Sequence, residues 1–426
     1  MSFSMLDWIV FGTYIVFIIG LGLFVSREKK GHEKDTKDYF LASKALPWWA
    51  VGASIIAANI SAEQVIGMSG SGYAIGLAIA SYEWMAAITL IIVAKYFLPI
   101  FLEKGIYTMP EFLEIRYDKR VRTSLAVFWL FIYVFINLTS VLYLGALAMH
   151  EIMGITIWWS VLGLAVFSSL YTIYGGLKAV AWTDVVQVVI LVFGGLLTSI
   201  LALSAIGKGN PFEGLTTLIG AVPDKFDMIL TPGQIESEGV DQFSKLPGIA
   251  VLIGGMWIAN LFYWGCNQYI TQRALAAKSI KEAQHGLAFA GYLKLLMPLI
   301  VVIPGIAAYY LINDAPHLIP AGAEMSIVKP DNAYPWLLNT FVPVGLKGLA
   351  FAALIAAIVS SLSSMVNSTA TLFSMDIYKQ IINKDASEKV LVRTGRIASG
   401  IALVIAILLA PQLGSLSQVF QYIQEF

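Results

Sequence analysis

Charged side chains are scarce in this 426-residue sequence. Asp, Glu, Lys and Arg make up 13% of the residues, whereas hydrophobic residues make up 58%. Soluble domains carry about 25% charged residues because a surface that faces water requires them. The low charge therefore excludes an ordinary soluble protein and indicates an integral membrane protein. The 27 basic and 27 acidic side chains balance, so the net charge gives no reason to expect a nucleic-acid partner.

Cysteine and catalytic motifs are equally sparse. Cys266 is the only cysteine in the sequence, which excludes an intrachain disulfide. The four histidines are scattered without metal-ligand spacing, and the sequence has no nucleophile–base arrangement or phosphate-binding loop. The sequence therefore gives no support for chemistry on a substrate, and we expect the protein not to be an enzyme.

Apolar stretches long enough to cross about 30 Å of hydrocarbon recur along the chain. None alternates with a period of two residues, which favours helices over a barrel. An eleventh helix begins near Ser415, and the sequence stops inside it at Phe426, so we expect a fragment. The ten complete spans are predicted at 6–26, 47–68, 76–102, 123–149, 155–174, 183–206, 247–269, 285–313, 345–378 and 393–413.

Lys and Arg are unevenly distributed between the loops. Four lie in one set of alternate loops, which includes 207–246 and 314–344, and 207–246 is expected to have little regular structure. Twenty lie in the other set, at 27–46, 103–122, 175–182, 270–284 and 379–396. Positively charged loops remain in the cytoplasm. We therefore predict a multi-pass protein of the cell inner (plasma) membrane with its N-terminus outside.

The second and seventh spans resemble each other at an offset of about 200 residues: 46–51 matches 246–251, and 58–59 matches 259–260. The second copy comes five spans after the first, an odd number, so the two would enter the membrane from opposite sides, as in the inverted repeats of transporters. Chance similarity between two apolar stretches is the alternative. The predicted organisation is one transmembrane domain with an extra N-terminal helix and cytoplasmic loop at 1–46, a first repeat at 47–206 and an incomplete second repeat at 247–426.

Polar residues interrupt the second span at mid-membrane depth, at Asn59, Ser61, Glu63 and Gln64. A charged residue there costs about 2.5–3.5 kcal/mol on insertion scales, so it must face a cavity or a partner. Three glycines follow closely, which favours an unwound segment whose free carbonyls could hold a cation. Hydrogen bonding between helices is the alternative.

Two ionisable residues, Glu83 and Lys294, lie within the third and eighth spans. They could form a structural ion pair, or they could both hydrogen-bond a polyol, for which charged donors and acceptors are strong partners. The seventh span places Asn260, Tyr263 and Trp264 on one helix face. Such a stripe suits a sugar, with ordinary core packing as the alternative.

The ninth span carries Ala357, Ser360 and Ser361 close together. Small residues allow close helix packing, but hydroxyls beside a broken helix with free carbonyls also suit a hard monovalent cation such as Na⁺. Thr183 and Asp184 open the sixth predicted span, where we expect a helix cap. A role for Asp184 in ion exit is the alternative.

Four longer motifs are similar to those of the sodium/solute symporter family: AANISAEQ at 57–64, IYGGLKAVAWTDVVQ at 173–187, NLFYWGCNQ at 260–268 and IVSSLSSMVNSTAT at 358–371. The resemblance extends through essentially the whole chain and is strongest to the sugar-transporting members. It implies a LeuT-like fold, with an extra helix before a five-plus-five inverted repeat. It also implies Na⁺-coupled symport of galactose or glucose by alternating access, with both solutes bound near the membrane midplane.

The resemblance also implies roles for individual residues. Sugar would be hydrogen-bonded by Gln64, Glu83, Asn137, Asn260, Lys294 and Gln424. The gate would consist of Tyr263 beneath the sugar, Met68, Tyr82 and Phe420 above it, and Asn59, Glu63, Trp264 and Arg273 in support. Na⁺ would bind the carbonyls of Ala57, Ile60 and Ala357 and the hydroxyls of Ser360 and Ser361, with Asp184 on its way out.

Ala86 departs from the family pattern, because sugar-transporting members place a sugar-contacting serine there. The preferred sugar is therefore open. Two other functions stay as alternatives: a Na⁺ symporter for another small solute, such as proline or pantothenate, and a sugar sensor that does not transport. The expected partners are a small sugar and the lipid bilayer, without nucleic acid and without an obligatory protein partner.

Overall fold

The computed structural model describes residues 3–27, 33–61, 63–237, 239–246, 248–323, 327 and 329–415. In this part of the chain, eight helices are long and apolar enough to cross a membrane. The number rises to ten when each of two bent helix pairs is counted as one span, in agreement with the ten predicted spans. Helices are expected here because a backbone in lipid must satisfy its hydrogen bonds within the segment.

The helices of the first half begin with α1, Met5–Val25, the extra N-terminal helix. Two stretches of π-helix, Val93–Phe97 and Ile132–Leu138, continue α-helices without interrupting the span, and a third, Glu63–Gly67, precedes α4. The remaining helices are α2 Thr36–Leu41, α3 Trp48–Asn59, α4 Met68–Ala74, α5 Ser81–Ile92, α6 Leu98–Lys104, α7 Met109–Arg116, α8 Lys119–Phe131, α9 Thr139–Met153, α10 Ile157–Gly175 and α11 Leu177–Ile206.

The second half contains one small antiparallel hairpin, β1 Glu236–Ser237 with β2 Val240–Asp241. Its helices are α12 Pro211–Ala221, α13 Ile249–Ile253, α14 Met256–Cys266, α15 Gln268–Leu275, α16 Ile280–Asn313, α17 Ala333–Phe341, α18 Leu346–Leu372 and α19 Glu388–Leu409. A π-helical stretch, Phe373–Ile382, extends α18. Short 3₁₀ turns lie at Ala42–Lys44, Leu77–Ala80, Pro223–Phe226, Gln242–Ser244, Pro316–Leu318, Pro330–Asn332 and Ala410–Ser415.

Two spans are broken, and they are the second and the seventh. The pairs 48–59 with 64–74 and 242–253 with 256–266 are each bent by 72°. Ile60 is extended after α3, with φ −79° and ψ 114°, and Gly254 leaves the helical conformation after α13, with φ −92° and ψ −139°. Each break lies in the first span of a predicted repeat, which supports the inverted repeat; the repeat itself stays a prediction.

Helix α18 lies at the centre of the protein. In the span formed by α18 and its π-helical extension, 94% of the most apolar stretch is buried. The helix is surrounded by α1, α3, α10, α11 and α19. Its N-terminus is capped by the buried carboxylate of Asp7 from α1, which accepts the backbone N–H groups of Gly345 and Gly348 at 2.8 Å each. A carboxylate at this position is favourable because it satisfies free N–H groups and opposes the helix dipole.

The expectation of little regular structure in loop 207–246 is wrong, since this segment contains α12 and the hairpin. Asn210 caps α12 by accepting the N–H of Phe212 at 3.0 Å, and Pro211 occupies the first turn, where its missing N–H costs nothing. The Asn-Pro pair at 210–211, from which the sequence predicts a loop, is therefore the start of a helix.

Lys225 connects loop 207–246 to α4 through hydrogen bonds. Its ammonium group donates to the carbonyls of Tyr73 at 3.0 Å and Ala74 at 2.7 Å, in the last turn of that helix. It also lies 4.1 Å from the ring centroid of Tyr309 on α16. Burial lowers the pKa of Lys225 from 10.5 to about 8, because the charged form loses its hydration.

The predicted cap at Thr183 and Asp184 is also wrong. Helix α11 begins at Leu177, directly after Gly176, whose φ of +68° lets the chain turn sharply out of α10. Thr183 therefore lies inside the helix, where its hydroxyl donates to carbonyls of the preceding turn, including that of Ala179 at 3.0 Å. Asp184 is completely buried, which leaves its side chain available to other helices.

Candidate solute and cation site

Three of the predicted solute ligands meet in a buried cluster. The Lys294 ammonium on α16 donates to Glu83 Oε2 on α5 at 2.7 Å, and both side chains are almost fully buried. The amide of Gln64, which follows the break after α3, donates to Glu83 Oε1. Gln64 also approaches the sulfur of Met68 at 3.1 Å. The structure thus contains the ion pair that was one of the two interpretations, and it adds a polar amide to it.

An aromatic face from the other broken span borders this cluster. Lys294 Nζ lies 5.2 Å from the ring centroid of Trp264. The indole N–H of Trp264 donates to Asn260 Oδ1 at 3.2 Å, and the Asn260 amide donates to the Met256 carbonyl at 3.0 Å within α14. A cation, a carboxylate, two amides and an indole thus come together from four segments, which is suitable chemistry for the hydroxyl groups and C–H face of a polyol.

Hydrogen bonds between one amide and two tyrosine hydroxyls connect the two broken spans at the predicted gate. Asn59, the last residue of α3, donates to the Tyr263 hydroxyl on α14 at 2.9 Å. The same hydroxyl lies 2.7 Å from the hydroxyl of Tyr269 on α15. Trp264 packs edge-on against Tyr263, with ring centroids 5.1 Å apart. The position of the Tyr263 ring therefore depends on both breaks.

Arg273 and Asp184 form a second buried ionic cluster. The Arg273 guanidinium lies 3.5 Å from Asp184 Oδ2 and donates to the carbonyl of Ser54 at 3.1 Å. It also donates to the Ser364 hydroxyl and the Tyr269 carbonyl. Asp184 in turn accepts from the hydroxyls of Ser54 and Ser360, at 2.5 and 2.6 Å. Asp184 therefore contacts one of the predicted cation ligands directly.

The predicted cation ligands lie together where α3 ends beside α18. The hydroxyl of Ser361 donates to the carbonyls of Ala58 and Ile60, at 3.0 and 3.1 Å. The break leaves carbonyls at the end of α3 without the usual helical donor. Ala57, Ile60 and Ala357 line one narrow crevice that is too small for a water molecule.

Carbonyl and hydroxyl oxygens of this kind fit a hard monovalent cation. The described residues contain no group of three or more His, Cys, Asp and Glu side chains placed to hold a metal ion. The binding of Na⁺ by Ala57, Ile60, Ala357, Ser360 and Ser361 stays a prediction.

Gln187 lines the same crevice and was not singled out by the sequence analysis. It lies one turn after Asp184 on α11 and is almost completely buried, and its amide oxygen has no hydrogen-bond partner among the described residues. The only signal in the sequence was its i+3 spacing from Asp184 inside the quoted motif.

Other predicted site residues are less closely tied to the cluster. Asn137 lies half-buried in the Ile132–Leu138 π-helical stretch, and we find no hydrogen bond from its side chain within the described ranges. Tyr82 is 43% exposed. Ala86 is buried on α5 one turn after Glu83. Phe420, Gln424 and the side chain of Glu63 lie outside the described residues.

Two broken spans that carry buried polar groups, packed around a central helix, define a class of protein: a multi-pass membrane transporter. The model of the sodium:solute symporter family matches residues 39–426. The chain belongs to the sodium:solute symporter family.

Named relatives agree with this assignment. The chain is 60% identical over 430 residues to the sodium/glucose cotransporter of Vibrio parahaemolyticus, covering 99% of this chain and 78% of that protein. It is 35% identical over 440 residues to sodium/myo-inositol cotransporter 2 of Oryctolagus cuniculus, covering 98% of this chain and 63% of that protein.

A solved structure shares the fold. The substrate-bound, outward-open state of a Na⁺-coupled sialic acid symporter matches with a TM-score of 0.83 at 25% identity, covering 99% of this chain and 84% of that chain. The expected fold class, an all-α polytopic membrane protein of the LeuT-like type, is confirmed, as is the expectation that the protein is a Na⁺-coupled transporter and not an enzyme.

Proposed function

We propose that the protein is a Na⁺-coupled symporter for a neutral sugar, galactose or glucose, that works by alternating access. The observation that carries the proposal is the buried cluster of Glu83, Lys294 and Gln64 beside Trp264. Because Lys294 is already neutralised by Glu83, the cluster favours a neutral polyol over a substrate that bears a carboxylate. The 60% identity to a protein named a sodium/glucose cotransporter supports the same substrate class.

In this proposal, Na⁺ binds the carbonyls of Ala57, Ile60 and Ala357 with the hydroxyls of Ser360 and Ser361. Ser361 now donates to the α3 carbonyl of Ile60, so Na⁺ would replace its hydroxyl hydrogen at that oxygen. Na⁺ would then hold the end of α3 against α18. This arrangement fixes two residues on either side of the break, Asn59 at the gate and Gln64 at the solute.

Sugar would bind above the Tyr263 ring, hydrogen-bonded by Gln64, Glu83, Asn260 and Lys294, while Tyr82 and Met68 cover the other side. Asn137, Gln424 and Phe420 join the proposal as further contacts on the strength of the family resemblance. Loss of Na⁺ would release α3, weaken the Asn59–Tyr263 hydrogen bond and open the gate. Asp184, which bonds Ser360 at 2.6 Å, lies next to the cation and is the proposed first step on its way out.

The energetics suit one coupled ion. A membrane potential of 100 mV supplies about 2.3 kcal/mol per charge, and a tenfold Na⁺ gradient adds about 1.4 kcal/mol. The sum, about 3.7 kcal/mol, supports roughly 500-fold accumulation of sugar. The distribution of Lys and Arg supports the cell inner (plasma) membrane as the location, with the N-terminus outside. The partners are the sugar and the bilayer.

The test is uptake of radiolabelled galactose into proteoliposomes, with an inward Na⁺ gradient and with K⁺ in place of Na⁺. We expect accumulation with Na⁺ alone. Equilibrium galactose binding on the same preparation, with and without Na⁺, separates the remaining possibilities. Na⁺-dependent binding without flux would indicate a sensor, and no binding at all would show that the solute is a different one.

Ala86→Ser supplies a matched variant for the choice of sugar. It restores the hydroxyl found in other sugar-transporting members one turn from Glu83. If galactose is hydrogen-bonded there, its affinity should rise several-fold, because one added hydrogen bond is worth about 1 kcal/mol. An unchanged galactose affinity, with an altered glucose affinity, would assign glucose as the preferred substrate.

A further inference from the structure

Three buried polar side chains of helix α15 hold it against its neighbours. Gln268, Gln272 and Arg273 are all completely buried. Gln268 bonds the loop before α7, accepting from the Met109 N–H at 2.8 Å and donating to the Tyr107 carbonyl at 3.1 Å. Burial of an amide costs free energy unless its hydrogen bonds are made, so each of these side chains fixes α15 to a specific neighbour.

Gln272 has three partners and uses both ends of its amide. Its Nε2 donates to the Thr371 hydroxyl on α18 at 2.7 Å and to the Phe40 carbonyl on α2 at 2.8 Å. Its Oε1 accepts from the Ser368 hydroxyl, also on α18, at 2.9 Å. Two of the three bonds therefore join α15 to the helix that carries the proposed Na⁺ hydroxyls.

The two partners on α18 continue the line of Ser360 and Ser364 along one face of the helix. Ser360, Ser364, Ser368 and Thr371 follow each other at spacings of three or four residues, and all four are completely buried. At the Ser360 end of this line, the adjacent residue Ser361 donates to the Ile60 carbonyl at the α3 break. At the other end, Ser368 and Thr371 form hydrogen bonds with Gln272.

Helix α15 leads from Gln272 to the gate. Tyr269 lies one turn before Gln272 on the same helix, and its hydroxyl is 2.7 Å from that of Tyr263. A rigid helix of this length moves as a unit, so a shift of α18 that displaces Gln272 also displaces Tyr269. Only two hydrogen-bonded steps therefore separate α18 from the predicted gate.

We infer that Gln272 is a positioning residue through which Na⁺ bound at α18 helps to hold the Tyr263 gate, in addition to the Asn59–Tyr263 hydrogen bond, so that its amide contributes to the coupling of Na⁺ and sugar binding. This inference rests on the proposed function. Gln272 would not touch either solute, so its effect should be on the coupling between them. Coupling is measured as the ratio of galactose dissociation constants in K⁺ and in saturating Na⁺.

The experiment compares that ratio in the wild-type protein and in Gln272→Leu, which keeps the side-chain volume and removes all three hydrogen bonds. We expect the ratio to fall by about tenfold, mainly because galactose binds more weakly in Na⁺, while binding in K⁺ stays nearly unchanged. Gln268→Leu is the matched control. It is equally buried in the same helix but bonds the α7 loop instead of α18, so its ratio should stay close to that of wild type.

Thr371→Val is the second variant, in case Gln272→Leu fails to fold. It is nearly isosteric and removes the acceptor on the α18 side, and we expect it to lower the ratio in the same direction. Combined with Gln272→Leu it should produce no further loss, since both variants break the same bond. Thr371→Val therefore decides the question alone if the other variant cannot be purified.

Three results would overturn the inference: a wild-type ratio in Gln272→Leu, equal losses in Gln272→Leu and Gln268→Leu, or a wild-type ratio in Thr371→Val. If galactose binding to the wild-type protein does not depend on Na⁺, the proposed function itself is refuted, before any variant is compared. Failure of the coupling role is thus distinct from failure of the function.

Discussion

The buried pair of Glu83 and Lys294 can be tested as a ligand or as a structural element by removing one charge and then both. Lys294→Met leaves Glu83 in a buried position without its cation. Loss of one partner of a buried ion pair costs about 3–5 kcal/mol, so this variant should unfold at a lower temperature. The remaining Gln64 hydrogen bond to Glu83 cannot neutralise a full charge.

The double variant Glu83→Gln with Lys294→Met removes both charges and keeps the side-chain volumes. Its stability should recover most of the way to wild type, because a neutral, well-packed replacement of an ion pair is often nearly neutral in free energy. Its galactose affinity should not recover. The charge-assisted hydrogen bond from Lys294 contributes about 1.5–3 kcal/mol, so its loss alone should raise the dissociation constant roughly 10- to 150-fold.

The assay is thermal unfolding with and without saturating galactose in Na⁺, together with equilibrium galactose binding. Both readouts are needed, because a variant can lose affinity simply by losing its fold. A double variant with near-wild-type stability and near-wild-type galactose affinity would refute our reasoning. Glu83 and Lys294 would then be a structural ion pair, and the solute would bind elsewhere.

Three other expectations follow from single contacts. Ser361→Ala removes a proposed ligand, so half-maximal uptake should require several-fold more Na⁺; an unaltered Na⁺ curve would remove this hydroxyl from the cation site. Tyr263→Phe keeps the ring but removes the partner of Asn59 at 2.9 Å, so efflux of preloaded galactose should accelerate about fivefold, as expected for about 1 kcal/mol; efflux at the wild-type rate would contradict the gate. Burial lowers the pKa of Lys225 from 10.5 to about 8, so the packed state favours the neutral amine and its stability should rise as the pH increases from 8 towards 10. The melting temperature of wild type relative to Lys225→Met should therefore increase over that range, and a constant difference would show that Lys225 does not titrate there.

Much of the fold could be predicted because hydrophobic length and loop charge act locally. The partners of Glu83 and Lys294 could also be anticipated, since a charge in an apolar span needs another polar group. The position of the first break was harder to predict. Three glycines that follow Gln64, at Gly67, Gly70 and Gly72, favoured an unwound segment, but the chain bends at Ile60, and Gly70 and Gly72 lie within α4.

Gly70 and Gly72 serve packing instead of unwinding. A side chain at Gly70 would lie 2.5 Å from Asp331 Oδ1, and one at Gly72 would lie 2.5 Å from the Val302 carbonyl. The contact partners are more than two hundred residues away in the sequence. A single sequence does not distinguish a glycine that frees the backbone from one that admits a distant helix, because both need only the missing Cβ.

The amides of Gln187 and Gln272 illustrate a second limit. Gln187 lies in an apolar helix and Gln272 in a short polar one, and in both places a glutamine is usually explained as a hydrogen bond between helices. Gln187 lines a crevice with residues of α3 and α18, and Gln272 bonds residues of α18 and α2, and no local pattern identifies those neighbours. The predicted cap at Asp184 is wrong for a related reason: the start of α11 depends on Gly176, seven residues before the predicted beginning of the span.

The cap that α1 supplies to α18 has a practical consequence for engineering this protein. Helix α1 lies outside both predicted repeats, which makes it an obvious candidate for removal when a minimal transporter is designed. Its deletion would leave the N–H groups of Gly345 and Gly348 without Asp7, at the start of the helix that carries the proposed Na⁺ hydroxyls. Affinity tags and fluorescent fusions should likewise be joined ahead of Ser4, whose hydroxyl also bonds the Asp7 carboxylate at 2.5 Å.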